Sequence, residues 1–259
     1  MLLVIDVGNT NTVLGVFDGN TLIRDWRIRT IRDTTADEFN VLANALFADK
    51  GINKEDITSV VISSVVPPAV PILDRFCEKY LLTKPFWVYP ESVRNLMPIL
   101  YNNPAEVGAD RIVNGIAAYA KYRKSLIVID FGTATTFDAI SEKGEYLGGA
   151  IVPGLMISSE ALFQRASRLP RVEMFMPPAS VIGKDTIDSI KSGLMHGNAA
   201  MVDGMVARMK REMATEPAII ATGGLAVLIA GLSDTIESVE SSLTLEGLRI
   251  ISDELMKTK

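Results

Sequence analysis

The chain has 259 residues and a net charge of −5, long enough for one large or two modest domains with a proper core and too acidic for a broad nucleic-acid-binding face. No apolar run approaches the roughly 20 residues that span a bilayer, and the first residues lack the basic stretch and cleavage pattern of a signal peptide, so a cytoplasmic protein without membrane or nucleic-acid partners is expected. A single cysteine, Cys77, excludes an internal disulfide, and a single histidine, His196, excludes a His/Cys metal cluster.

The first element is an apolar strand over Leu2–Val7 that ends in Asp6-Val7-Gly8-Asn9-Thr10-Asn11-Thr12. An acid at a strand tip can organise a divalent ion. The glycine and small hydroxyl residues after it let backbone N–H groups approach phosphate oxygens. Val13–Phe17, the turn signal Asp18-Gly19-Asn20 and Leu22–Ile28 then read as a β-meander. Arg24, Arg27, Arg29 and Arg32 cluster here. Alternation puts Arg27 and Arg29 on one face and Ile28 on the other, which reads as a solvated outer face.

Phe39, Leu42, Ala43, Leu46 and Phe47 form the stripe of a helix over 36–50 closed by Gly51. A β-branched strand over 59–66, a helix over 70–82 and a short strand over 86–89 follow, the alternation of an α/β layer architecture. Leu100-Tyr101-Asn102-Asn103-Pro104 is turn-rich. Gly108-Ala109-Asp110-Arg111 leads into a helix over 111–122. The helix dipole and Arg111 are expected to keep Asp110 ionised; an ordinary helix cap is the competing reading of that acid.

Half a chain after the first turn the device recurs. Leu126–Ile129 runs into Asp130-Phe131-Gly132-Thr133-Ala134-Thr135-Thr136, followed by a strand, the turn Glu142-Lys143-Gly144 and a returning strand from Tyr146. The two copies imply two related domains, 1–120 and 121–259, an arrangement suited to a nucleotide held between them. Ile187, Ile190, Leu194, Met201, Met205 and Met209 recur at helical spacing, which predicts a long helix over 186–213. A strand over 218–222 then runs into Thr222-Gly223-Gly224, a third strand-to-helix turn that leaves room for a flat ligand.

Two Asp-x-Gly-[Asn/Thr] turns and a later Thr-Gly-Gly resemble the phosphate-1, phosphate-2 and adenosine segments of the acetate and sugar kinase, heat-shock 70 and actin superfamily. That resemblance implies an α/β fold of two actin-like (ribonuclease H-like) domains, each a mixed sheet flanked by helices. Together with Gly108–Arg111, Asn114 and Gly183-Lys184-Asp185-Thr186, the motifs resemble type III pantothenate kinase over nearly the whole chain. The resemblance implies ATP-dependent phosphorylation of the primary hydroxyl of pantothenate, the first step toward coenzyme A. It implies ATP contacts from Asp6, Val7, Gly8, Asn9, Thr10, Asn11, Thr12 and Val13, with Asp6 near the Mg²⁺-bound phosphates, and a further phosphate contact from Thr133. Asp130 would bind a monovalent cation, K⁺ or NH₄⁺. Tyr101, Gly108, Ala109, Asp110 and Arg111 would line the pantothenate pocket, with Asp110 as proton acceptor. Thr186 would reach the substrate from the neighbouring subunit of a homodimer. The competing readings are a sugar kinase or exopolyphosphatase-like hydrolase of the same superfamily, and a non-catalytic regulatory accessory protein of the same fold; the presence of Asp6, Asp110 and Asp130 favours the kinase.

Overall fold

The computed structural model describes residues 1–173 and 176–257. It divides into two compact units, Met1–Ala117 with Leu243–Lys259 and Ala118–Ser242. In chain order the first unit is built from β1 (Leu2–Val7), β2 (Asn11–Asp18), β3 (Thr21–Arg29), α1 (Ala36–Ala48), β4 (Ser59–Ser64), α2 (Ala69–Phe76), β5 (Phe86–Trp87) and most of α3 (Ala109–Tyr122). The second contains β6 (Leu126–Phe131), β7 (Ala134–Ile140), β8 (Tyr146–Pro153), α4 (Leu155–Arg165), α5 (Thr186–Lys210), β9 (Ala218–Thr222), α6 (Ala226–Ala230) and β10 (Ser238–Val239); α7 (Leu243–Lys257) closes the chain.

Each unit holds one five-stranded mixed sheet, and the two have the same plan. The orders are β3-β2-β1-β4-β5 and β8-β7-β6-β9-β10, an antiparallel meander followed by two strands added in parallel. The duplication read from the two Asp-x-Gly segments is therefore a duplication of topology. Central strands β1 and β6 are buried along their length except at the acid, which is why they read as continuous apolar runs instead of alternating ones. Edge strand β3 alternates: Trp26 and Ile28 pack on the core, while Arg24, Arg27 and Arg29 are exposed. Charges along an unpaired edge discourage pairing with other chains, so the arginine cluster on this strand is a solvated face.

Helix α1 starts at a capping box in which Thr35 accepts from the backbone of Glu38 and the Glu38 side chain accepts from the backbone of Thr35. It ends before Gly51, whose left-handed φ of 67° reverses the chain. The segment expected as one helix over 70–82 is α2 followed by a single π-helical stretch, Cys77–Leu81, and stops at Leu82 with a left-handed φ of 53°. Helix α5 runs 25 residues from an Asp185 cap, with Ile190, Met195, Ala199, Val202 and Val206 buried against the second core.

A division into contiguous halves at 120/121 does not describe the packing. Leu245, Leu248 and Ile251 of α7 are buried, and Thr244 Oγ1 donates to Asn114 Oδ1 at 2.7 Å. A Cβ added at Gly247 would run into the Val113 carbonyl of α3. The last helix thus belongs with the first unit, because its apolar stripe completes that sheet's cover. The boundary lies within α3, which is continuous across it.

Candidate active site

The first turn is a four-residue loop, Gly8–Asn11, between Val7 and Thr12, which pair across the β1/β2 ladder. Gly8 N–H donates to the Asn11 carbonyl at 3.0 Å and closes it. Asp6 stands at the end of β1, opposite Ser63 in the parallel ladder with β4, and Ser63 Oγ donates to Asp6 Oδ1 at 2.7 Å. Ser63 is fully buried, so it fixes the direction of the carboxylate. A second tie comes from the end of β3. Thr30 Oγ1 donates to the Gly8 carbonyl at 2.7 Å and lies 2.9 Å from Thr12 Oγ1, while Thr30 N–H donates to the Thr10 carbonyl at 3.0 Å. Arg32 Nη2 donates to Asn9 Oδ1 at 3.1 Å. The loop's tip, Asn9 and Thr10, is exposed.

The second turn is one residue shorter. Phe131 pairs with Thr135, so the loop is Gly132–Ala134, closed by Gly132 N–H donating to the Ala134 carbonyl at 3.0 Å. The two copies are aligned through the acids and slip by one residue beyond them, with Thr12 matched by Thr135 and not by Thr136. Thr133 is at the exposed tip. Asp130 sits opposite Thr222 of β9, as Asp6 sits opposite Ser63, but Thr222 Oγ1 donates instead to the Glu240 carbonyl at 2.7 Å. The third turn packs directly on the second. Gly223 has a φ of 94°, and a Cβ there would collide with Asp130 Oδ1 and the Phe131 backbone. A Cβ on Gly154, which caps α4, would likewise collide with the carbonyls of Thr133 and Gly132.

Helix α3 begins at Ala109, which places Asp110 inside its first turn and not at the cap. Asp110 Oδ1 accepts from the backbone N–H of Arg111 at 2.8 Å. A Cβ on Gly108 would come within 2.5 Å of that oxygen, so only glycine leaves the carboxylate its place. Burial pushes the Asp110 pKa above the ordinary 3.8, and the Arg111 N–H and guanidinium offset only part of that cost. This reverses the direction expected from helix dipole and Arg111: removal from water outweighs both. Arg111 itself is buried, and Asn114 ties α3 to α7.

Tyr101 is 38% exposed in its loop, which leaves part of the ring open to solvent. Gly183–Thr186 lines an open groove of about 630 Å³ in the second unit together with Leu162, Leu169 and Gly193. Asp185 Oδ1 accepts from Asp188 N–H at 2.8 Å and caps α5, leaving Thr186 exposed on the first turn. The Cys77 thiol is buried and its pKa is pushed up to about 12, consistent with having no part in chemistry. His196 Nε2 lies 3.5 Å from the Pro178 carbonyl, a packed histidine. Sequence reading missed Ser63, Thr30 and Gly154. The apolar strand over 59–66 marked Ser63 as a strand residue, but nothing local announced that it would face Asp6.

Among the described residues no group of three or more His, Cys, Asp or Glu is placed to enclose a metal. Mg²⁺ carried by nucleotide phosphates needs only one or two protein carboxylates, so the single, oriented Asp6 fits that ion. Asp130, within 3.7 Å of where a Gly132 Cβ would stand and against the Gly223 backbone, offers the hard oxygen donor that an alkali-type cation takes.

The sequence model of type III pantothenate kinase matches residues 2–208. A protein named type III pantothenate kinase from Desulforapulum autotrophicum is 72% identical over 254 residues, covering 98% of this chain and 97% of that one. Another so named, from Desulfatibacillum aliphaticivorans, is 64% identical over 255 residues, with 98% and 99% covered. Among solved structures, a ROK-family glucokinase from Streptomyces griseus matches with a TM-score of 0.56 at 14% identity, over 97% of this chain and 99% of that one. That likeness is one of fold alone: two mixed sheets of the actin-like type, each flanked by helices. With the Asp6 and Asp130 turns and the Gly108–Arg111 segment all seated as described, the chain belongs to the type III pantothenate kinase family.

Proposed function

We propose that this protein transfers the γ-phosphoryl group of ATP to the primary hydroxyl of pantothenate, giving 4′-phosphopantothenate and ADP at the entry to coenzyme A synthesis in the cytoplasm. The observation that carries the mechanism is Asp110, a carboxylate made more basic by burial and aimed by the start of α3. It accepts the hydroxyl proton as the oxygen–phosphorus bond forms and the bond to the β-phosphate bridging oxygen breaks. Phosphoryl transfer passes through a loose transition state, so the remaining work is positioning and charge neutralisation.

Asp6 to Val13 and Thr133 are assigned to ATP. Asp6, aimed by Ser63, would hold Mg²⁺, which neutralises phosphate charge when bound. Asp130 is assigned to a monovalent cation, K⁺ or NH₄⁺. Tyr101 and Gly108 to Arg111 are assigned to pantothenate, with Arg111 as the partner of its carboxylate.

The same reading includes a homodimer. In the second unit Ile151, Met156, Phe163, Val181, Ile182 and Ile187 are exposed, apolar surface that supports this reading. Gly193 and Gly197 of α5 have open space where a Cβ would be, so they do not pack on this chain's own sheet. Small residues on an open helix face permit close approach of a second copy, and the neighbouring groove presents Thr186 to it. On this reading exposed apolar residues of α4 and edge strand β8 join α5 in the face offered to the second copy. A coupled assay of ADP release with and without pantothenate tests the activity. Release that requires pantothenate supports it; release without an acceptor, or none at all, refutes it.

A further inference from the structure

The three turns share a chemical gap. No Lys or Arg occurs in residues 1–23, around the first turn, or in 125–142, around the second, and the stretch 217–248 that carries the third has none either. A nucleotide triphosphate tail is strongly anionic, and backbone N–H groups and hydroxyls alone bring no net positive charge to it. Arg29 pairs with Asn11 at the foot of the first turn, and Arg32 is the basic side chain seen to hydrogen-bond that turn's exposed tip among the described residues. The β2/β3 ladder ends at Asn11 and Arg29, and Thr30 prolongs it by one more backbone bond to Thr10. Two residues further on, the turn at Arg32 and Asp33 brings the guanidinium onto Asn9, at the exposed tip of the loop.

We infer that Arg32 is a phosphate-binding residue, parked on Asn9 in the free protein and able to grip the phosphate tail of the nucleotide. This rests on the ATP-dependent reading above. The geometry supports it in three ways. The Asn9 bond is a single neutral-acceptor contact, so the guanidinium has further N–H donors with which to meet phosphate oxygens. Its position is anchored from behind, because Thr30 is tied to Gly8, Thr10 and Thr12. A planar guanidinium can place two parallel N–H groups on one phosphate, which an ammonium cannot. On this assignment Asn9 is a positioning residue: it holds the cation over the loop before nucleotide arrives.

Titration calorimetry with MgADP, which needs no acceptor, separates this inference from the choice of substrate. Arg32→Gln can still donate to Asn9 but has no charge, and should weaken MgADP binding about 10-fold or more while leaving adenosine binding unchanged. Its KM for ATP should rise with the KM for pantothenate unmoved, and raising salt should weaken its nucleotide affinity less than that of the wild type. Arg32→Lys should fall between the two. Asn9→Ala, which keeps the charge, should cost less than Arg32→Gln. A folded Arg32→Gln protein with wild-type MgADP affinity overturns the inference. So does one whose losses for adenosine and MgADP are equal, since that is the signature of a structural prop. Normal nucleotide binding by the wild type without pantothenate-dependent turnover would instead refute the substrate reading and leave Arg32 standing.

Discussion

Asp110 carries opposed demands on one side chain. Burial raises its pKa, so the folded chain holds that proton to higher pH than the unfolded chain does. The stability this contributes is fully present below the ordinary value of 3.8 and is lost as pH rises through the folded-state pKa, so at neutral pH the charged carboxylate opposes folding. Asp110→Asn should therefore lower turnover on the order of 10²-fold or more while the melting temperature at neutral pH holds or rises. The acid limb of the wild-type kcat/KM profile should lie above 3.8 and vanish in the variant's residual activity. A large drop in melting temperature would mean the acid is structural. Ser63→Ala removes the hydroxyl that aims Asp6; we expect a loss of about 1–3 kcal/mol in stability and a higher KM for ATP, read by denaturant titration and initial rates. Unchanged ATP kinetics would show that Asp6 needs no such guide.

Among the elements, glycines at two places in the second unit make opposite predictions. Gly223 joins β9 to α6 with left-handed backbone and no room for a Cβ beside Asp130. Gly223→Ala must move the Asp130 strand tip or break the turn, so its cost should exceed the roughly 1 kcal/mol of an ordinary strained glycine replacement, with loss of activation by K⁺. Gly193 in α5 meets nothing. Gly193→Ala should be neutral or gain up to about 1 kcal/mol in helix propensity within one chain. Thermal melts of both variants in the Gly197→Leu background, where association is weakened, check the pair, and equal destabilisation would contradict the contrast.

At the scale of the whole molecule the testable property is assembly. Sedimentation at assay concentration should give a dimer, and Gly197→Leu, which has open space within its own chain, should weaken dimerisation without unfolding the subunit. Inactive Asp110→Asn and Thr186→Arg subunits, mixed, should recover part of the activity, because one of the two sites in a heterodimer keeps both residues. A fully active monomer would remove the shared-site assignment of Thr186. Replacing K⁺ and NH₄⁺ by a large organic cation at constant ionic strength, with Mg²⁺ supplied, should abolish turnover if Asp130 holds a monovalent ion; undiminished rates would reject that role.

The sequence alone determined what is local in cause. Central strands buried on both sides read as continuous apolar runs, and tight loops at strand tips favour glycine and small hydroxyl residues. The two Asp-x-Gly turns, the alternating architecture and the family were therefore legible in Asp6–Thr12, Gly108–Arg111 and Asp130–Thr136. Tertiary structure decided what depends on partners far along the chain. Ser63 meets Asp6 through the pairing of β4 with β1, Thr30 and Arg32 reach the first turn through the register of β3, and α7 returns to the first unit because its apolar stripe is needed there. The direction of the Asp110 shift belongs to the same class. Helix dipole and a neighbouring arginine can be read from the order of residues, but the desolvation that outweighs them exists only once the chain has packed around the carboxylate.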